Sequence, residues 1–146
     1  MKGYNFKFER VLNYKKTVED YKKSQYGDLQ QRLNREEEML LEYNHCKENL
    51  IMEKNKSIQK ISVGHLKMYN SYLNDINDTI SKQEEIIDET KTKLEIAKEE
   101  LMEAMKEKKV FEKLKENDYK QYVYEAKKVE EKLLDSIVSY NITTQQ

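Results

Sequence analysis

Along residues 69–111, apolar side chains recur at alternating steps of four and three: Tyr69, Leu73, Ile76, Ile80, Gln83, Ile87, Thr90, Leu94, Ala97, Leu101, Ala104, Lys108 and Phe111. Ten of these thirteen positions are apolar, and the residues between them are mostly Glu, Lys, Asp, Asn and Ser, with no Gly or Pro. Two apolar positions in seven make a narrow stripe that winds slowly around a helix. Such a stripe cannot build a globular core by itself and must meet the stripe of another long helix, so the pattern predicts a coiled coil.

The chain supplies that second helix. Tyr26, Leu29, Leu33, Glu36, Leu40, Tyr43, Lys47 and Leu50 share one phase, and Val11, Tyr14, Val18 and Tyr21 precede them on another. The offset between the two sets predicts a four-residue stutter beside Gly27. Gly27 itself reads as a tolerated helix glycine, costing ~1 kcal/mol against Ala. The stripe ending at Leu50 does not join the later one: extended, it would put Ser71, Asp75, Asp78 and Lys82 on the seam. The phase must therefore break between residues 54 and 66. Asn55, Ser57, Ser62 and Gly64 supply turn chemistry there, and the Ser62 hydroxyl is expected to cap the second helix.

These elements predict an all-α chain: a long antiparallel two-helix coiled-coil hairpin with the second helix longer. The expected layout is one coiled-coil domain over residues 1–146. Helix one covers about 5–55, the turn about 55–64 and helix two about 65–139, followed by a short disordered tail. At ~1.5 Å per residue the helices would be about 75 and 110 Å long. Pairs at i,i+4 (Glu19–Lys23, Glu89–Lys93, Glu116–Lys120) each add a few tenths of a kcal/mol.

The arms are unequal. With a turn near residue 59, paired residues have numbers summing to about 120, so Val11 lies near Lys108 and Phe111 and everything past about Lys115 overhangs. The overhang keeps a stripe of Tyr119, Tyr122, Ala126, Val129, Leu133, Ile137 and Tyr140. An apolar stripe with no helix of its own chain to cover it predicts a partner in another chain.

Composition narrows the function classes. With no Pro, no Trp and three Gly, the chain has few breakers, and its charge-rich make-up is that of long helices. The 27 basic and 28 acidic residues interleave, leaving no basic face for nucleic acid. The single Cys46 excludes an internal disulfide. Residues 1–8 lack the apolar run of a signal peptide. The longest stretch free of Asp, Glu, Lys and Arg, residues 136–146, is too short and too polar to span a bilayer, so a soluble protein is expected. His45 and Cys46 are adjacent, and on a helix their side chains diverge; His65 and Gly64 read as turn residues. No metal site, cofactor motif or nucleophile motif is present, and no catalysis is expected.

The opening Phe6-Lys7-Phe8-Glu9-Arg10-Val11-Leu12, followed by Tyr14-Lys15-Lys16, and the late stretch Glu107-Lys108-Lys109-Val110-Phe111-Glu112-Lys113-Leu114-Lys115 resemble the FliJ family of the flagellar type III export apparatus. The resemblance covers nearly the whole chain. It implies an antiparallel two-helix coiled coil, similar to the central stalk of rotary ATP synthases. It also implies a cytoplasmic protein peripheral to the inner face of the cell membrane at the flagellar base, with no enzyme activity. The implied partners are the hexameric export ATPase, the cytoplasmic domain of the export gate, and export chaperones. An aromatic and an aliphatic residue four apart, just after the turn, contribute to the family's gate contact; Tyr72 and Ile76 match them here, Tyr standing for a more apolar ring. Leu40 and Tyr43 match nearby family positions in the first helix, while Lys47 stands where the family carries an aromatic. The ATPase ring contact is expected at the open end, on Phe6, Phe8, Val11, Phe111, Leu114, Tyr119, Tyr122, Val129 and Leu133. Two other readings compete: a tether that self-associates through its C-terminal helix, and the equivalent stalk of a virulence secretion system.

Overall fold

The computed structural model describes residues 3–57, 60 and 62–145. Two long helices, α1 (Glu9–Ser57) and α2 (Val63–Thr144), pack against each other, and the second is the longer. The chain divides into two compact units. One joins Met1–Tyr21 with Met102–Gln146, and the other is Lys22–Leu101.

The unit Lys22–Leu101 contains the reversal. Of the turn expected at 55–64, Ile58, Gln59 and Ile61 lie outside the described residues. Asn55 belongs to α1 and Gly64 and His65 to α2, so the turn is shorter than expected. Ser62 caps α2. Its Oγ accepts the His65 backbone N–H at 3.4 Å and lies 2.8 Å from His65 Nδ1, while its carbonyl accepts the Leu66 N–H. The hydroxyl thus satisfies one of the orphan donors at the helix start, and His65, expected in the turn, forms part of the cap instead. Lys22 to Glu100 (2.9 Å), Gln83 Nε2 to the Glu36 carbonyl (2.9 Å) and Lys54 to Asn70 (2.8 Å) fix an antiparallel register close to the expected sum of about 120. Leu33, Ile80, Ile87 and Ala97 are buried between the helices, together with the polar Glu36, Gln83 and Thr90.

The other unit pairs the start of α1 with the later part of α2. Leu12, Phe6 and Ala104 form its core. Around them run the ion pairs Lys15–Glu107 (2.8 Å), Glu19–Lys108 (2.7 Å) and Glu9–Lys115 (2.9 Å), again antiparallel.

All thirteen positions of the 69–111 stripe are buried or half-buried, and so is the α1 stripe from Tyr26 to Leu50. The stutter is absent. Tyr14 and Tyr21, read as seam residues, are 64% and 60% exposed, while Val11 and Val18, read with them, are half-buried beside the inward line of Leu12, Lys15, Glu19 and Lys22. These continue into Tyr26 and Leu29 at steps of three and four, so a single seven-residue phase runs along α1 past the exposed Gly27. The cause is charge on the seam. Lys15, Glu19 and Lys22 each meet an oppositely charged side chain of α2, which lets ionic groups occupy positions normally held by Leu or Ile. Counting apolar residues then selects the edge of the seam, where Val11 and Val18 are half-buried, and two exposed tyrosines beyond it.

α2 continues to Thr144, beyond the expected end near 139 and through most of the tail expected to be disordered; only Gln146 lies outside the described residues. The Thr143 and Thr144 hydroxyls donate to the Ser139 and Tyr140 carbonyls, satisfying both hydroxyls within the helix.

Candidate functional site

The open end of the helix pair is built on a short non-helical lead. Residues 3–6 precede the turn at 7–8 and the start of α1. The Glu9 N–H donates to the Phe6 carbonyl and the Leu12 N–H to the Phe8 carbonyl, which turns the chain into α1 while the lead lies along α2. Tyr4 and Phe6 lie in the non-helical stretch and Phe8 in the turn, and the rings of Tyr4 and Phe8 meet α2. Phe6 is buried and packs edge-on against Phe8 (5.9 Å between centroids), and Phe8 packs against Phe111 (6.2 Å). The Tyr4 ring lies 5.1 Å from that of Tyr119 and 5.4 Å from that of Tyr122. Its hydroxyl donates to Asp118 Oδ2 at 3.0 Å and approaches the Lys115 carbonyl at 3.4 Å.

The electrostatics follow these contacts. Partial burial, and then the hydrogen bond to Asp118 and the charges of Asp118 and Glu9, hold the Tyr4 phenol above its ordinary value. The hydrogen bond to Glu19 holds the Lys108 ammonium above its ordinary value, against an opposing desolvation. Hydrogen bonding from Lys120, then the charges of Lys113 and Lys120, hold the Glu116 carboxyl below its ordinary value.

The open-end residues expected from the sequence thus fall into two groups. Phe6, Phe8, Val11, Phe111, Tyr119 and Tyr122 are gathered at the junction of lead, α1 and α2, with the exposed Leu114 nearby on α2. Val129 and Leu133 stand apart on α2 at 62% and 61% exposure. One expectation needs correction: Tyr119 and Tyr122 are not bare, because Tyr4 rests on both. A non-helical segment rests on them where no helix does, leaving Tyr122 half-buried and Tyr119 51% exposed. From residue 127 to 145 every residue is exposed, including Leu134, Ile137, Val138, Tyr140 and Ile142. Tyr4 and Asp118 were absent from the expected site; the Tyr4-x-Phe6-x-Phe8 alternation is the signal that points to them.

The residues matched to the gate contact lie in the unit Lys22–Leu101. Tyr72 is half exposed, whereas Ile76, Leu40 and Tyr43 are half-buried at seam positions of α2 and α1. Of the four, Tyr72 has the most surface to offer a partner. Among the described residues, no cluster of His, Cys, Asp and Glu is arranged to hold a metal ion, and no helix is long and apolar enough to cross a membrane.

No solved structure matches the chain. A protein of Bacillus subtilis (strain 168) described as "Flagellar FliJ protein" is 27% identical over 136 residues, covering 92% of each chain. The family model described as "Flagellar FliJ protein" matches residues 4–146, taking in the aromatic lead, both helices and the exposed C-terminal stripe. The chain therefore belongs to the FliJ family of flagellar proteins.

Proposed function

We propose that this chain is a non-enzymatic stalk protein of the flagellar type III export apparatus. It binds the hexameric export ATPase through its open end and couples that ring to the export gate, where it also meets export chaperones. The observation that carries the ring contact is the run of exposed apolar side chains on α2, Val129, Leu133, Ile137 and Tyr140, lying beyond the part of α2 covered by α1 and the lead. Exposed apolar stripes of this kind are characteristic of interaction surfaces. Family membership supplies the setting, a flagellar one rather than a virulence system.

The mechanism is differential contact. A single helix enclosed by a ring cannot touch every subunit alike, so it stabilises some subunit states over others and biases assembly or nucleotide occupancy. The gate contact falls on Tyr72, with Ile76, Leu40 and Tyr43 supporting it from the seam. This places the working protein in the cytoplasm, at the inner face of the membrane at the flagellar base. Tyr72→Ala should weaken binding to the cytoplasmic domain of the gate while helicity is retained; unchanged binding with intact helices removes Tyr72 from the contact. A second reading, tail-to-tail self-association, rests on the same exposed stripe and predicts a dimer in the absence of any partner.

A further inference from the structure

The lead ahead of α1 is fastened unequally. At its α1 end Phe6 is buried and Phe8 packs on Phe111. At its outer end the contacts described for Tyr4 are two ring contacts and a partly exposed pair of hydrogen bonds. Tyr119 and Tyr122 open the same stripe that continues as Ala126, Val129 and Leu133, so Tyr4 sits at the head of the surface assigned to the ring contact.

We propose that residues 3–8 form a strap, hinged at Phe6 and Phe8, that rests on Tyr119 and half-buries Tyr122, and that must lift at Tyr4 before a partner can take the Tyr122 ring. The inference rests on the ring-binding reading and adds a control element to it. The strap makes α2 present two surfaces in sequence. The uncovered stripe from Val129 onward is available for first contact, and the half-buried Tyr122 ring is available only to a partner that replaces what Tyr4 provides. Such a partner offers an apolar contact for the Tyr122 ring and leaves Asp118, once Tyr4 has gone, facing a new hydrogen-bond donor. Lifting is local, because the buried Phe6 holds the rest of the lead in place.

The thermodynamic consequence is a reduced apparent affinity: a strap closed roughly nine-tenths of the time weakens binding about tenfold relative to an open chain. The full chain carrying Tyr4→Ala should therefore bind the purified export ATPase about tenfold more tightly. Tyr4→Phe, which loses only the bonds to Asp118 and Lys115, should show a smaller gain. Adding Tyr122→Ala to Tyr4→Ala should abolish the gain, since it removes a ring that the open strap exposes. Unchanged or weaker binding by Tyr4→Ala, with helicity intact, overturns the strap and leaves the ring reading standing. No binding by any form overturns the ring reading, and the strap is then judged on the free protein. There, near-ultraviolet circular dichroism should lose more tyrosine signal on Tyr4→Ala than on Tyr14→Ala, whose ring is exposed; equal losses overturn it.

Discussion

Leu12 and Tyr14 separate two descriptions of α1. An apolar count places Tyr14 on the seam, but in the structure Leu12 is 1% exposed and Tyr14 is 64% exposed. Leu12→Ala removes a fully buried branched side chain between α1, α2 and the lead. Lost transfer free energy and the residual cavity together cost ~2–5 kcal/mol. For 146 residues the unfolding entropy near the midpoint is about 0.3 kcal/mol/K, so the midpoint should fall by roughly 7–16 °C. Tyr14→Ala alters a surface position and should stay within about 0.5 kcal/mol of the parent. Thermal and urea unfolding followed by circular dichroism at 222 nm measures both. A cost for Tyr14→Ala equal to that of Leu12→Ala, or a cost below about 1 kcal/mol for Leu12→Ala, would refute the continuous heptad phase.

Three further outcomes follow from the polar groups of the seam and lead. Thr90 is fully buried and its Oγ1 has no hydrogen-bond partner among the described residues, so the near-isosteric Thr90→Val should stabilise by ~1–2 kcal/mol, read as a higher urea midpoint at unchanged slope. Gln83→Ala removes a second donor from the Glu36 carbonyl, which keeps its backbone bond within α1, so it should cost ~0.5–1.5 kcal/mol in the same measurement. Tyr4 titrates above its ordinary value of 10.0. Its contribution to closing the lead is complete below that value and is lost as pH rises through the raised one. In a spectrophotometric titration, the component missing from Tyr4→Phe should lie above pH 10.0; a missing component at or below that pH contradicts the Asp118 contact.

The later stripe was legible because its polar members, Gln83, Thr90 and Lys108, are outnumbered by Ile, Leu and Ala at regular steps. The break between helices was legible from the failed phase match, and Ser62 from its hydroxyl in a turn-rich stretch. The first part of α1 was misread because three successive inward positions are Lys15, Glu19 and Lys22, while two outward ones are tyrosines. Burial of Glu19 is explained only by Lys108, far away in the sequence, and a single-helix pattern carries no information about that partner. The strap escaped for a related reason. The alternation of Tyr4, Phe6 and Phe8 is visible in sequence, but what it covers depends on the register of the helix pair. The partner assignments came from resemblance: periodicity identifies a surface that needs covering, not the chemistry of what covers it.

If the exposed stripe of α2 is the contact for the export ATPase ring, Val129→Asp combined with Leu133→Asp should destroy that contact. Both side chains are exposed in the free chain, so helicity and the unfolding midpoint should hold close to those of the parent. Binding to the hexameric ATPase, measured by co-sedimentation with the assembled ring, should be lost. Full binding by this double variant would exclude the stripe as the ring contact, and loss of nothing but a homodimer would give the stripe to self-association instead.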